Sequence, residues 1–154
     1  MIDIDIEAAA WTDALPAVED IVRRAVAAVG ADRPLGSIAI LLADDPDVRD
    51  LNRRFRDQDR ATNILSFPAA ATAKGYLGDL ALAFGVCAAE AEAQEKKLGD
   101  HLSHLVVHGV LHLLGYDHES DTDAERMESL ERDILAELGI ADPYAGEDHV
   151  DPER

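Results

Sequence analysis

The sequence predicts an α+β fold, a single domain in which a small mixed four-stranded sheet packs with about five helices. Short apolar or alternating runs at residues 2–7, 37–42, 63–67 and 76–84 have strand character. The stretches between and after them place apolar residues at helical spacing. The chain has 154 residues, 47% of them hydrophobic and 30% charged, which suits one folded core and excludes an unfolded polyelectrolyte. Strands and helices mixed within so short a chain, with no internal repeat, make one α+β domain. It is expected to cover residues 1–141, with residues 142–154 forming an acidic, flexible tail.

Each element has its own signal. Residues 2–7 alternate isoleucine with acid, the period of a half-buried strand. After Trp11, Thr12 and Asp13, the residues Leu15, Val18, Ile21, Val22, Ala25, Val26 and Val29 mark a helix stopped by Gly30. Residues 37–42 form an apolar run fit for a buried strand. Asp44, Asp45 and Pro46 then start a helix with Val48, Leu51, Asn52 and Phe55 on one face. Residues 63–67 make a strand ended by Pro68, followed by an alanine-rich loop through Lys74 and Gly75. A further strand at 76–84 leads to a helix over 88–98 that Gly99 ends. Asp100 caps the next helix, which runs to Leu114 and closes at Gly115. A last amphipathic helix spans 121–138 and ends at Gly139.

Charge and cysteine content narrow the setting. The net charge is −18, which counts against broad, unaided binding to nucleic acid. Residues 117–154 carry 14 acidic and 3 basic side chains, whereas the segment from Arg49 to Arg60 carries five arginines against three aspartates. Most of those arginines read as a solvated helix face. Cys87 is the single cysteine, so no intrachain disulfide forms and the thiol reads as core. No basic-then-apolar leader and no membrane-length apolar run are seen, so a cytoplasmic protein without membrane contact is expected.

The chemistry concentrates in residues 108–118. His108 and His112 stand four apart, on one face of a helix, with Cβ atoms about 5–6 Å apart. Two imidazoles so placed converge on one ion at ~2.0–2.1 Å. Gly115 lets the chain turn back, so His118 can supply a third ligand. Three protein ligands leave a fourth position for water, the arrangement of a catalytic zinc site. Nickel, copper and iron also accept imidazole. The spacing matches the metzincin protease motif H-E-x-x-H-x-x-G-x-x-H except that Gly109 stands where the general-base glutamate belongs, so a metallopeptidase would need its base from elsewhere. A non-catalytic assembly factor with structural zinc is the other alternative, and would close the sphere with His104, Asp117 or Cys87. His101 and His104 read as supporting residues near the start of the metal helix. Asp117 reads either as the acceptor for a ligand imidazole or as a turn residue.

Three segments together resemble the YbeY family of bacterial metal-dependent endoribonucleases. They are His104 through His118; Leu51 through Pro68, similar to L-N-x-x-[YF]-R-x-K-D-x-P-T-[DN]-V-L-S-F-P; and Leu77-Gly78-Asp79-Leu80, similar to the family's L-G-D-I strand. Asp142-Pro143-Tyr144 resembles its usual ending. The resemblance implies a three-histidine site for one zinc ion on His108, His112 and His118. It also implies cleavage of single-stranded RNA, processing of ribosomal RNA precursors (chiefly of the small subunit) and ribosome quality control. The family's essential arginine falls on Arg56, whose planar fork suits a phosphate. The expected mechanism is attack of metal-bound water or hydroxide on the phosphodiester with Arg56 stabilising the phosphate; attack by the RNA 2′-OH is the variant route. A local positive groove of Arg56 with Arg53 or Arg60 is expected to offset the acidic surface. Gln58, Ala61 and the segment 69–73 depart from the family pattern.

Overall fold

Alternation of isoleucine with aspartate makes β1 (Ile2–Ile6), whose isoleucines turn inward while Asp3 and Asp5 stay exposed. The computed structural model describes residues 1–70, 75–117 and 119–144. The chain continues through α1 (Ala9–Ala14), α2 (Val18–Gly30), β2 (Ser37–Ala43), α3 (Asp45–Arg56), β3 (Ile64–Pro68) and β4 (Tyr76–Ala83). It ends in α4 (Phe84–Ala93), α5 (Leu98–Leu113) and α6 (Asp121–Glu137). One four-stranded sheet has the order β1-β2-β4-β3. β1, β2 and β4 are mutually parallel, with Ile4 opposite Ile40 and Ile40 opposite Leu80. β3 runs antiparallel to β4, with Leu65 opposite Ala81. The mixed sheet expected from the sequence is therefore present, accompanied by six helices among the described residues.

The pleat sends alternate residues to opposite faces. Ile38, Ile40, Leu42, Ile64, Leu80 and Leu82 join the main core with α2 and α5. Leu65, Ala81 and Ala83 join a smaller core with Val48 of α3. Twelve of the 16 residues of α5 are buried, so it is a core helix wet on almost no side. Gly109 lets it settle onto the sheet: a Cβ there would lie 2.7 Å from Ile64 Cδ1 and 2.8 Å from Leu80 Cδ2. Histidines on this helix therefore stand in dry surroundings.

Several boundaries differ from the sequence reading, each for a visible reason. The first long helix is two, because Pro16 cannot donate and drives Leu15 out of helical geometry, at φ −133° and ψ 87°. Trp11 of α1 instead anchors the break by donating its indole N–H to the Ala43 carbonyl at 2.9 Å. The helix expected over 88–98 begins at Phe84 and ends earlier, where Glu95 takes a left-handed φ of 56° and Lys96 N–H reaches the Ala91 carbonyl at 2.8 Å. Its N-terminus is capped across the fold: Asp45 Oδ1 accepts the Val86 N–H at 3.1 Å. Gly99 thus ends nothing and lies inside α5, with Asp100 in the first turn rather than at the cap. The α3 start is as read, Asp44 capping the Asp47 N–H at 3.1 Å. Phe55, expected on the apolar face of α3, is 62% exposed. The alanine-rich loop at 71–74 lies outside the described residues.

The segment 142–144, at the head of the expected tail, packs on the domain. Tyr144 is buried and Asp142 pairs with Arg132 of α6 at 3.3 Å. Residues 145–154 lie outside the described residues.

Candidate metal centre

His108 and His112 occupy successive turns of α5, and their rings stand 4.5 Å apart between centroids at 80°. Two imidazoles sharing a tetrahedral ion at ~2.0–2.1 Å have centroids roughly 5 Å apart, so the pair matches what one ion requires. His108 is fully buried and the Nε2 atoms of both rings are shielded from solvent. At the end of α5, Gly115 adopts a φ of 106°, and Tyr116 N–H bonds back to the Leu111 carbonyl at 3.1 Å, so the chain reverses as its glycine suggested. His118 lies outside the described residues. Beside the reversal is a hollow of about 260 Å³ lined by Gly115, Tyr116, Asp117, Asp123 and Arg126. Two nitrogen donors on a rigid, dry helix fit zinc, and no group of three potential ligands is assembled among the described residues.

The other histidines have distinct tasks. His104 Nε2–H donates to Glu131 Oε1 at 2.7 Å, and the Tyr144 hydroxyl donates to the same oxygen at 2.7 Å. His108 Nδ1 lies 3.4 Å from that oxygen, at the long edge of hydrogen bonding. Burial pushes the His104 imidazole below its ordinary value, against the opposing pull of Glu131, so it is neutral near pH 7. Burial alone would raise the Glu131 carboxyl, but hydrogen bonds from His104 and His108 outweigh it and bring the group down to about 2. His101 Nε2 meets Glu90 Oε1 at 2.9 Å, and Asn63 donates to the same carboxylate at 3.1 Å, tying α5 to α4 and to the start of β3.

Glu131 is absent from the sequence reading. Its signal was a carboxylate inside the apolar stripe of α6, four residues after Met127 and four before Leu135, at a position that is fully buried. Asp117 accepts the Glu119 N–H at 3.1 Å through one carboxylate oxygen, the contact of a turn residue. Cys87 is core: it is buried against the Asn63 carbonyl, and burial pushes its thiol well above the ordinary range. His104 and Cys87 thus have other partners, which weakens the structural-zinc alternative. Gly109 weakens the peptidase alternative, because the position of the protease base faces the sheet.

Arg56, the last residue of α3, reaches the outer strand β3, where its guanidinium bonds the Ser66 carbonyl and lies 5.3 Å over the Phe67 ring. Ser66 is two residues from Ile64, against which the metal helix packs. The neighbouring arginines are largely neutralised: Arg53 pairs with Asp50 at 2.7 Å, and Arg49 grips Asp59 through two bonds of 2.8 and 3.2 Å. Among the described residues, no helix is long and apolar enough to cross a membrane.

Comparison with known proteins adds to this geometry. The profile of the family described as Endoribonuclease YbeY matches residues 4–139. A protein of Paramagnetospirillum magneticum named Endoribonuclease YbeY is 52% identical over 93% of this chain and 94% of its own length. Equally named proteins of a Bradyrhizobium species and of Maricaulis maris are 45% and 47% identical, over 97% and 96% of this chain and 95% and 93% of their own lengths. In fold, the solution structure of TM1509 from Thermotoga maritima superposes with a TM-score of 0.61 at 24% identity, covering 100% of this chain and 99% of that one. Both the matched span and the identity to full-length relatives place this chain in the Endoribonuclease YbeY family.

Proposed function

We propose that the protein is a zinc-dependent endoribonuclease acting on single-stranded RNA, with ribosomal RNA precursors, chiefly of the small subunit, as substrates. The observation that carries this reading is the His108–His112 pair, 4.5 Å between ring centroids, leading into the Gly115 reversal that precedes His118. The names of its relatives supply the substrate class. His108, His112 and His118 are the residues that would hold the ion. When bound, zinc supplies Lewis acidity, acidifying water and drawing charge from a phosphoryl oxygen.

The chain's own residues do the remaining work. α5 holds its two imidazoles rigidly because nearly all of its surface is packed. Arg56 positions and neutralises the scissile phosphate: its guanidinium never loses its charge and offers parallel donors to two oxygens. The Ser66 carbonyl takes one of its N–H groups and so orients the fork. Placement of a fixed cation where charge develops is worth several kcal/mol, about 3 for a single donor.

The test is cleavage of labelled single-stranded and duplex RNA by purified protein, with and without chelator. Single strands should be cut only by the zinc-loaded protein, and His112→Ala should lose both zinc and activity. Arg56→Ala should keep full zinc content and lose cleavage by a factor of about 100 or more. Cleavage that survives chelation and His112→Ala overturns the metal mechanism; full activity of Arg56→Ala overturns the role of the arginine.

A further inference from the structure

Glu131 is a buried group beside the site that the proposed reaction leaves unused. It projects from α6 and is fully buried. Among the described residues it accepts hydrogen bonds from His104 and Tyr144 and faces the His108 ring at 3.4 Å, with no lysine or arginine beside it. All three approach Oε1, and Oε2 is buried with no hydrogen-bond partner among the described residues. A carboxylate walled in by neutral donors is costly unless an opposite charge stands close.

The ring facing it supplies the route to that charge. His108 turns Nδ1 toward Glu131 at 3.4 Å, so its other nitrogen, Nε2, points away from the carboxylate. A neutral imidazole carries one ring proton. When that proton sits on Nδ1, facing the carboxylate, Nε2 keeps its lone pair and can serve as a metal donor. His104 turns its Nε2 to the same oxygen, so any lone pair it keeps lies on Nδ1. Tyr144, at the end of the described chain, stacks edge-on against His104 at 5.4 Å and holds the carboxylate from the far side.

We propose that Glu131 is a positioning residue of the metal centre: it favours the Nδ1–H tautomer of His108, which puts the coordinating lone pair on Nε2, and its buried negative charge is the counterpart of the divalent ion. Asp142-Pro143-Tyr144 and α6 thereby belong to the metal site, although they lie beyond the histidine motif. The inference rests on the assignment of His108 as a zinc ligand.

The experiment reads zinc affinity and ring tautomer rather than activity. Metal-free wild type and Glu131→Gln are titrated with Zn²⁺ against a chromophoric chelator, with Tyr144→Phe as a variant that keeps the charge. Glu131→Gln should bind Zn²⁺ about 10–100-fold more weakly, the loss typical of removing such a partner, while Tyr144→Phe should lose much less. Metal-free Glu131→Gln should melt somewhat lower than wild type, since the buried carboxylate also steadies the fold, so affinities are compared where both proteins are fully folded; a merely structural role would lower melting and leave affinity alone. Long-range ¹H–¹⁵N correlation of the histidine rings in metal-free wild type should show His108 protonated on Nδ1. That measurement needs no variant: a proton on Nε2 overturns the proposal, as does unchanged Zn²⁺ affinity in Glu131→Gln. Wild type that takes up no Zn²⁺ refutes the metal assignment itself, a different outcome from wild type and variant binding alike.

Discussion

Gly109→Ala discriminates between two opposite expectations, so its sign alone tests the packing of the metal helix. In an open helix, replacing glycine with alanine stabilises by about 1 kcal/mol, through helix propensity and reduced freedom of the unfolded chain. Here the new Cβ would stand 2.7 Å from Ile64 Cδ1, 2.8 Å from Leu80 Cδ2 and 3.1 Å from Leu80 Cδ1. Those methyls are the ends of side chains, but both residues are at most 1% exposed and have little room to retreat. Overpacking of this kind costs about 1–3 kcal/mol. Subtracting the propensity gain leaves a net loss of roughly 1 kcal/mol, or a melting temperature lower by about 2–4 °C in a domain of this size. Thermal melting of metal-free wild type and variant, followed by circular dichroism, measures it. A variant that melts at or above wild type refutes the close approach of α5 to β3 and β4. Gly109→Glu, which restores the protease motif, goes further. It buries a carboxylate between helix and sheet, so the fold should be lost before any peptidase activity could appear.

Two further outcomes follow from buried groups. Glu131 and His104 both lie below their ordinary values in the folded protein, so each contributes stability that is complete above its unfolded value and lost on acidification. The metal-free protein should weaken first below 6.5, through His104, and again between 4.5 and about 2, through Glu131. Urea midpoints across this range should lack the lower step in Glu131→Gln, and equal profiles for the two proteins would refute the buried-carboxylate account. Cys87, buried with its thiol shifted upward by burial, should resist a disulfide reagent in the native protein and react fully once unfolded. Rapid labelling of native protein would contradict its place in the core.

The periodicities that decided the fold class were those dominated by burial. Alternation in β1 and the apolar spacing of α2 survive because each element has one wet side and one dry side, which writes the pattern into the sequence. The junction from β4 to α4 was misplaced because neither side of it is wet: residues 80–83 are buried and Phe84 continues the apolar run directly into a helix. No side chain of α4 caps its own start; the cap is Asp45, forty-one residues earlier, and no local signal can announce it. Glu95 likewise ended a helix in a left-handed conformation that glycine more often supplies. Strand order was illegible for a related reason, since β2 pairs with β4 across the intervening α3 and β3.

The candidate site divides along the same line. His108, His112 and Gly115 sit within one helix and its reversal, so spacing alone was enough to place them. Glu131 reaches His108 only because α6 packs back on α5, and a single acid in an amphipathic helix looks like surface until that packing is known. The arginines show the converse. Read as a basic cluster, they suggested a positive groove for RNA, but Asp50 and Asp59 hold Arg53, Arg54 and Arg49 in exposed pairs. Exposed pairs are worth little to stability, about 0–1 kcal/mol each. They exchange readily for phosphate, so these arginines can still meet a polyanion if the aspartates are displaced. Arg56 differs in bonding a backbone carbonyl of the outer strand, which orients the guanidinium. This contact with β3 separates Arg56 from Arg49, Arg53 and Arg54 more sharply than any feature of the sequence around it.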